Sequence, residues 1–232
     1  MSRRSAHFLA TVAIVGFTAI AAAHDPIKTR VTWNGDIARI VEARCVSCHG
    51  ADARGTMSLA NYDAARPWAR AIKEEVLTRR MPKWQAARGY GDFSNDPSLS
   101  PFQIALVLAW ADGGAPRGAD ADLKATSVAA TAVTTLDEHP GAREIKLACG
   151  EQRAPTGTLL GFRPELEPKG SIGVSVSLPD GRREIVGWIR DYDPGNPATY
   201  RLRVPLSVPD GSTITAEATG ACSLTLTVAE SR

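Results

Sequence analysis

Between Ala115 and about Pro140 the chain is rich in Ala, Thr, Gly and Asp and carries no sustained apolar period. The hydrophobic grammar differs on its two sides, so the stretch reads as a linker, residues 115–141, between two dissimilar domains. Before it the apolar residues recur at helical spacing. Ile37, Ile40 and Val41 follow Asn34, a candidate N-cap, and predict a first helix that ends near Cys45. Trp68, Ile72, Val76 and Leu77 predict a second helix after Pro67 that stops before Met81-Pro82. A third is marked by Ser100 as cap, Pro101 at the first position, an apolar face of Phe102, Ile104, Ala105, Leu108 and Trp110, and Gly113-Gly114 as terminator. After the linker, short apolar runs at 158–160, 172–178, 184–189, 200–204, 214–218 and 224–228 are separated by turn pairs such as Asp180-Gly181 and Asp210-Gly211. The expected fold is therefore α plus β in separate domains: an all-α domain over 24–114, then an all-β antiparallel sandwich over 142–232.

The chemistry is concentrated in Cys45-Val46-Ser47-Cys48-His49, a C-x-x-C-H pentapeptide. Two thiols at this spacing can add across the two vinyl groups of a haem while the adjacent imidazole reaches the iron. A redox dithiol would want a thioredoxin-like strand before it and does not need the histidine, and a zinc site would want a second cysteine pair nearby. The reading is one covalently bound haem c, with Cys45 and Cys48 as attachment points and His49 as iron ligand. For the opposite face of the iron the residues leave several candidates open: Met81, Met57, His24, His139, or an open sixth position.

The run CVSCHG at 45–50, the run RRMPKW at 79–84 and the closing LSPFQIALVLAWADGGAP at 99–116 together resemble the class I cytochrome c family, over roughly Val31 to Gly114. The resemblance implies a small helical haem domain in which His49 is the proximal ligand, Met81 the distal one, and the last helix packs across the first. Lys83 stands where the more frequent form of the family has a second proline. A His/Met pair tends to raise the reduction potential, which suits an electron carrier. Trp68, Trp84, Tyr90, Phe93 and Trp110 are candidates to wall the haem or to fill core. Arg79, Arg80, Lys83 and Arg88 are candidates to steer an acidic redox partner or to form a solvated face.

In the second half LLGFRPELEPKG at 159–170, LPDGRREIVGW at 178–188 and the run at 191–214 are similar to the C-terminal sandwich of copper type II ascorbate-dependent monooxygenases. That family binds catalytic copper through a His-x-His pair, and the matching positions here are Glu165 and Glu167. Carboxylates hold cycling copper poorly, so monooxygenase activity is not expected and a docking or binding sandwich is. Cys149 precedes the first clear strand and Cys222 opens the last. A disulfide between them would tie the ends of the sandwich and add on the order of 4 kcal/mol.

Arg3 and Arg4, the apolar run from Phe8 to Ile20 and Ala21-Ala22-Ala23 match a secretory signal over residues 1–23, with an uncleaved membrane anchor as the alternative. Export to the periplasm or beyond follows, a compartment that also suits the disulfide. A formal charge of +2 is too small to drive nucleic-acid binding. The function expected from the sequence is thus single-electron transfer to or from redox protein partners, by a carrier rather than an enzyme and with no small-molecule substrate identified. The alternatives are a haem enzyme or a gas or peroxide sensor with an open iron position, and an interaction module of a larger redox complex.

Overall fold

The computed structural model describes residues 29–52, 57–124, 139 and 141–230. The proposed signal segment, His24 and most of the second half of the expected linker lie outside them. The chain is α plus β and divides into two compact units. The first holds the described residues up to Thr78 and those from Leu99 to Lys124; the second holds Arg79–Ser98 and the described residues from His139 onward.

The helical unit opens on Thr32, whose hydroxyl accepts the Gly35 N–H at 3.1 Å. A π-helical turn, Trp33–Ile37, runs from there into helix α1, Ala38–Arg44, and a short helix α2, Val46–His49. The cap is therefore Thr32, not Asn34. Asn34 is buried inside the turn, and its side-chain amide donates to the carbonyl oxygens of Gly118 and Ala119 at 3.4 and 3.0 Å. A buried amide must find acceptors, and the chain after the last long helix supplies them. Part of the expected linker consequently carries structure. Pro116 O accepts both the Trp33 N–H, at 2.9 Å, and the Trp110 indole, at 3.1 Å, while Arg117 O accepts the Asn34 N–H at 2.8 Å.

The second expected helix begins earlier than its period suggests: α3, Tyr62–Ala65, is capped by Asn61, passes through a tight turn containing Pro67, and continues as α4, Ala69–Leu77. Ala65, Ala69 and Val76 face the core, whereas Trp68 and Leu77 are exposed. Helix α5, Pro101–Asp112, starts as anticipated. Ser100 and Gln103 form a reciprocal capping box that satisfies two otherwise orphaned N–H groups. Its buried face matches the expected one in part: Trp110 is buried and Ile104 packs against the core as expected, whereas Val107, Leu106 and Ala111 join them, Ala105 is exposed and Phe102 is 71% exposed. Phe102 sits in the first turn, off the stripe that i, i+3 and i+7 spacing draws from Ile104. Lys73 pairs with Asp112 across α4 and α5. A last short helix, α6, spans Asp120–Lys124.

The second unit contains two four-stranded antiparallel sheets. Strands β1 (Arg143–Ala148), β8 (Cys222–Ala229), β3 (Gly157–Leu166) and β6 (Tyr200–Val208) form one, in that order. Strands β2 (Gly150–Arg153), β7 (Thr213–Ala218), β4 (Ile172–Ser177) and β5 (Arg183–Ile189) form the other. They share one core, with Leu159, Phe162, Leu224 and Leu226 from the first sheet and Val174, Val176, Ile189 and Ile214 from the second. On one side of this sandwich the chain passes from edge strand β1 to edge strand β2 through Cys149, which is disulfide-bonded to Cys222 with Cα atoms 5.8 Å apart. On the other side the open edges are β5 and β6.

Residues 79–98 close that second side as a strap. Ala86 bridges to Ile189 of β5, flanked by Ala87 N–H donating to Trp188 O at 2.7 Å and Arg190 N–H donating to Gln85 O at 3.0 Å. Phe93 bridges to Leu202 of β6, flanked by Ser94 N–H donating to Arg201 O and Arg203 N–H donating to Asp92 O, both at 2.9 Å. The strap thus occupies backbone groups that a bare edge would leave unpaired. Trp84 and Phe93 insert between the sheets against Tyr200 and Phe162, at centroid distances of 4.9 Å for Trp84 to Tyr200 and 6.0 Å for Phe93 to Phe162. The aromatics read as candidates to wall a haem are therefore, in these two cases, sandwich core. Glycine at 187 makes room for them, because a Cβ there would lie 2.9 Å from the Phe162 ring and 3.0 Å from that of Phe93.

Candidate functional site

Cys45, Cys48 and His49 come together where the first helical segment ends. Helix α1 closes at Cys45, whose N–H still reaches Val41 O at 2.8 Å, and the chain re-enters a helical turn in which both Cys48 and His49 donate to Cys45 O. The C-x-x-C-H spacing is thereby wound into one turn, which keeps two thiols and an imidazole within a small compass. Cys45 is half-buried against the helical core and Cys48 is exposed. Both are free thiols, while the other two cysteines of the chain are paired with each other.

The imidazole is held from behind. His49 Nδ1 lies 3.0 Å from Met57 O, and His49 O accepts the Leu59 N–H at 2.7 Å. A carbonyl can only accept, so Nδ1 carries the proton and the lone pair of a neutral ring resides on Nε2. This is how a protein orients an imidazole that is to bind a metal through its other nitrogen. The sequence pointed to His49 but not to this partner, since a backbone carbonyl has no side-chain signature. Met57 itself is exposed, and it serves here through its main chain.

Burial, then the neighbouring Cys48, push the Cys45 thiol up to about 11, against a smaller opposing pull from Arg44. At pH 8 a thiol raised from 9.0 to about 11 presents about a hundredfold less thiolate than one that is not. The greater nucleophilicity of a more basic sulfur returns part of this, so in haem-free protein Cys45 is expected to alkylate about tenfold more slowly than a model peptide thiol. The rate should rise with pH until it levels near 11. Iodoacetamide labelling followed by peptide mass spectrometry measures it, and equal rates at pH 8 would contradict the assignment.

Met81 belongs to the other unit. It is half-buried at the start of the strap, joined to Pro82 by a cis peptide bond. Of the basic residues around Met81, Lys83 pairs with Asp193 at 3.3 Å, and Arg79, Arg80 and Arg88 are exposed.

Glu165 lies exposed near the end of β3, and Glu167 lies exposed just past it. Glu165 accepts from Lys146 Nζ at 2.7 Å and from Ser223 Oγ at 3.0 Å, and these two bonds hold its carboxyl below the ordinary carboxylate range. Among the described residues no three or more His, Cys, Asp or Glu side chains gather as a metal cage. No helix among them is long and apolar enough to cross a membrane.

No protein-family model and no curated protein matches the chain. Among solved structures it is similar to Streptomyces albus HEPD with substrate 2-hydroxyethylphosphonate and Fe(II) bound, at 11% identity and a TM-score of 0.19, over 96% of this chain and 47% of that one. The chain thus spans about half the length of that protein, and a likeness so slight says nothing of fold or function.

Proposed function

We propose that the protein is an exported mono-haem c-type cytochrome that passes single electrons between redox proteins, its helical unit being the cytochrome domain. The observation that carries the reading is a C-x-x-C-H turn with both thiols unpaired and the His49 Nδ1 proton committed to Met57 O. The donor set fits a haem c. Cys45 and Cys48 would hold it by thioether bonds, His49 would ligate through Nε2, and Met81 would supply the second axial ligand. Bound haem supplies the one-electron couple.

The chain's own residues supply orientation and insulation. Met57 O fixes the ring plane and tautomer of His49, and proton donation to that carbonyl raises the basicity of Nε2. Trp33, Trp110 and Val107 hold α5 against the opening helical turn, which secures the segment that leads into Cys45. Export and the role of an accessory sandwich belong to the same proposal, supported by the signal-like start of the sequence and by the Cys149–Cys222 bond.

The test is an optical spectrum in both redox states of mature protein made with haem-maturation machinery, with Met81→Ala beside it. A sharp reduced α band, and a weak far-red methionine charge-transfer band that the variant lacks, are expected. A high-spin spectrum in the parent would refute the His49/Met81 pair and indicate an open iron position. No covalent haem at all would refute the cytochrome.

A further inference from the structure

We infer that strand β1 is a dimerisation edge: two copies of the chain join their β1 strands antiparallel about a two-fold axis through Ile145, so that one sheet runs across both strand units.

Of the two sides of the sandwich where strand edges lie, one is closed. The strap covers β5 and β6 there. On the other side β2 is short and its polar side chains are engaged, Arg153 with Asp210 and Gln152 with Ala148 O. Strand β1 is last in its sheet and, among the described residues, has β8 as its one strand partner. Its edge also lacks the usual deterrents to pairing. β1 and β8 stay in register from Arg143 to Ala148 with no bulge, and REIKLA contains no proline. Every second residue of β1 therefore turns its main-chain N–H and C=O away from β8, in a regular row that another strand can meet.

Charge selects the occupant. Residues set opposite one another in an antiparallel pair share the same hydrogen-bonding sense, so a two-fold axis between copies passes through a residue. Centred on Ile145, the pairing sets Glu144 opposite the second copy's Lys146 and Lys146 opposite the second copy's Glu144. Centred on Glu144 or on Lys146 it sets like charge on like, and centred on Leu147 it leaves both charges without a counterpart. Opposite charges directly across a strand pair stabilise it and like charges destabilise it. Within each copy Glu144 already lies 3.6 Å from Arg163, and Lys146 lies 2.7 Å from Glu165. The joined sheet thus carries two rows that alternate in sign, Arg163, Glu144, Lys146, Glu165, with the middle pair crossing between copies. On the opposite face Ile145, half-buried at the rim of the core, meets its own counterpart, and the aliphatic stem of Arg143 covers Leu147. Symmetry makes every one of these contacts twice, so a change at one position is felt twice.

The experiment is sedimentation equilibrium of the mature full-length protein at concentrations from about 1 μM to about 1 mM, with Glu144→Lys and Lys146→Glu measured singly and mixed in equal amounts. The parent is expected to dimerise within this range. Glu144→Lys brings lysine against lysine and Lys146→Glu brings glutamate against glutamate, and either alone should raise the dimer dissociation constant by about tenfold or more. Mixed, the two variants set lysines wholly opposite glutamates, and a heterodimer as tight as the parent dimer should form. Both positions are exposed, and circular dichroism checks that each variant keeps the fold. Should either fail to fold, amide exchange in the parent decides: protection across 143–147 that rises with protein concentration, with 183–189 unchanged, is expected. A parent that is monomeric at the highest concentration overturns the proposal, and β1 amides protected at every dilution in such a monomer would assign the edge to another segment of the same chain. Variants that dimerise like the parent overturn it as well, because the dimer would then use another surface, and so does a mixture that stays monomeric.

Discussion

Cys149→Ser and Cys222→Ser together are expected to lower the stability of the strand unit by about 4 kcal/mol, the chain-entropy value for a closed loop of this length. The bond joins positions separated by 73 in sequence, and its Cα–Cα distance of 5.8 Å lies within the ordinary disulfide span. Its place matters as much as its loop. Cys149 is where the chain crosses from β1 to β2, and Cys222 begins β8, which pairs with both β1 and β3. Reduced, the chain must hold the short β2, whose sequence GEQR has no apolar residue, by backbone bonds to β7 and by polar side-chain contacts such as the exposed Arg153–Asp210 pair. With a urea slope of about 1–2 kcal/mol per molar, the unfolding midpoint should fall by roughly 2–4 M. A shift below about 0.5 M would mean that the bond adds nothing to the folded state.

Phe162→Ala carries the second large effect, about 3–5 kcal/mol of destabilisation. Phe162 is fully buried, stacked on Tyr200 at 5.3 Å and edge-on to Phe93 at 6.0 Å. The notch at Gly187 is shaped to its ring, so deletion leaves a hole that rigid strand backbones cannot close. Its loss should also be felt beyond β3, since Phe93 of the strap rests on the same ring. Denaturant unfolding measures the total, and a cost under about 1.5 kcal/mol would show that the site collapses freely. Tyr200 meanwhile has no hydrogen-bond partner for its hydroxyl among the described residues, and burial pushes its ionisation above the ordinary phenol range. The cluster is held by ring packing rather than by polar bonds.

What the sequence disclosed follows from the range of the forces involved. The α5 start was readable because a capping box is complete within Ser100–Gln103. The cysteine pairing was readable because two thiols were spoken for by their spacing and two remained in a compartment that oxidises them. The alternation of Ile145 and Leu147 in REIKLA also marked β1, although it fell next to the expected linker and was missed. Thr32 displaced Asn34 as cap because Asn34 answers to carbonyls more than eighty residues away, and a local pattern cannot register them. The strap was hidden for the same reason. WQAARGYGDF has neither helical nor strand period, and its conformation is imposed by two edges encoded over one hundred residues downstream. At the candidate site, the liganding residue types were visible in the pentapeptide, while the carbonyl that orients His49 and the unit to which Met81 belongs depend on tertiary structure.

The strap also imposes an order in time. A ribosome makes residues 79–98 before any strand of the sandwich exists, and at about 5–20 residues per second the roughly 130 residues after Ser98 take about 7–27 s. During that interval Trp84, Tyr90 and Phe93 have no sheet edge to settle on, and the nascent chain displays an aromatic run that only later becomes interior. The helices on either side of the run can form from local contacts at once, so the chain must complete its beginning, leave its middle waiting, and return to it last. Anything that binds extended aromatic segments has its opportunity in that pause, and slowing synthesis downstream of Ser98 would lengthen it.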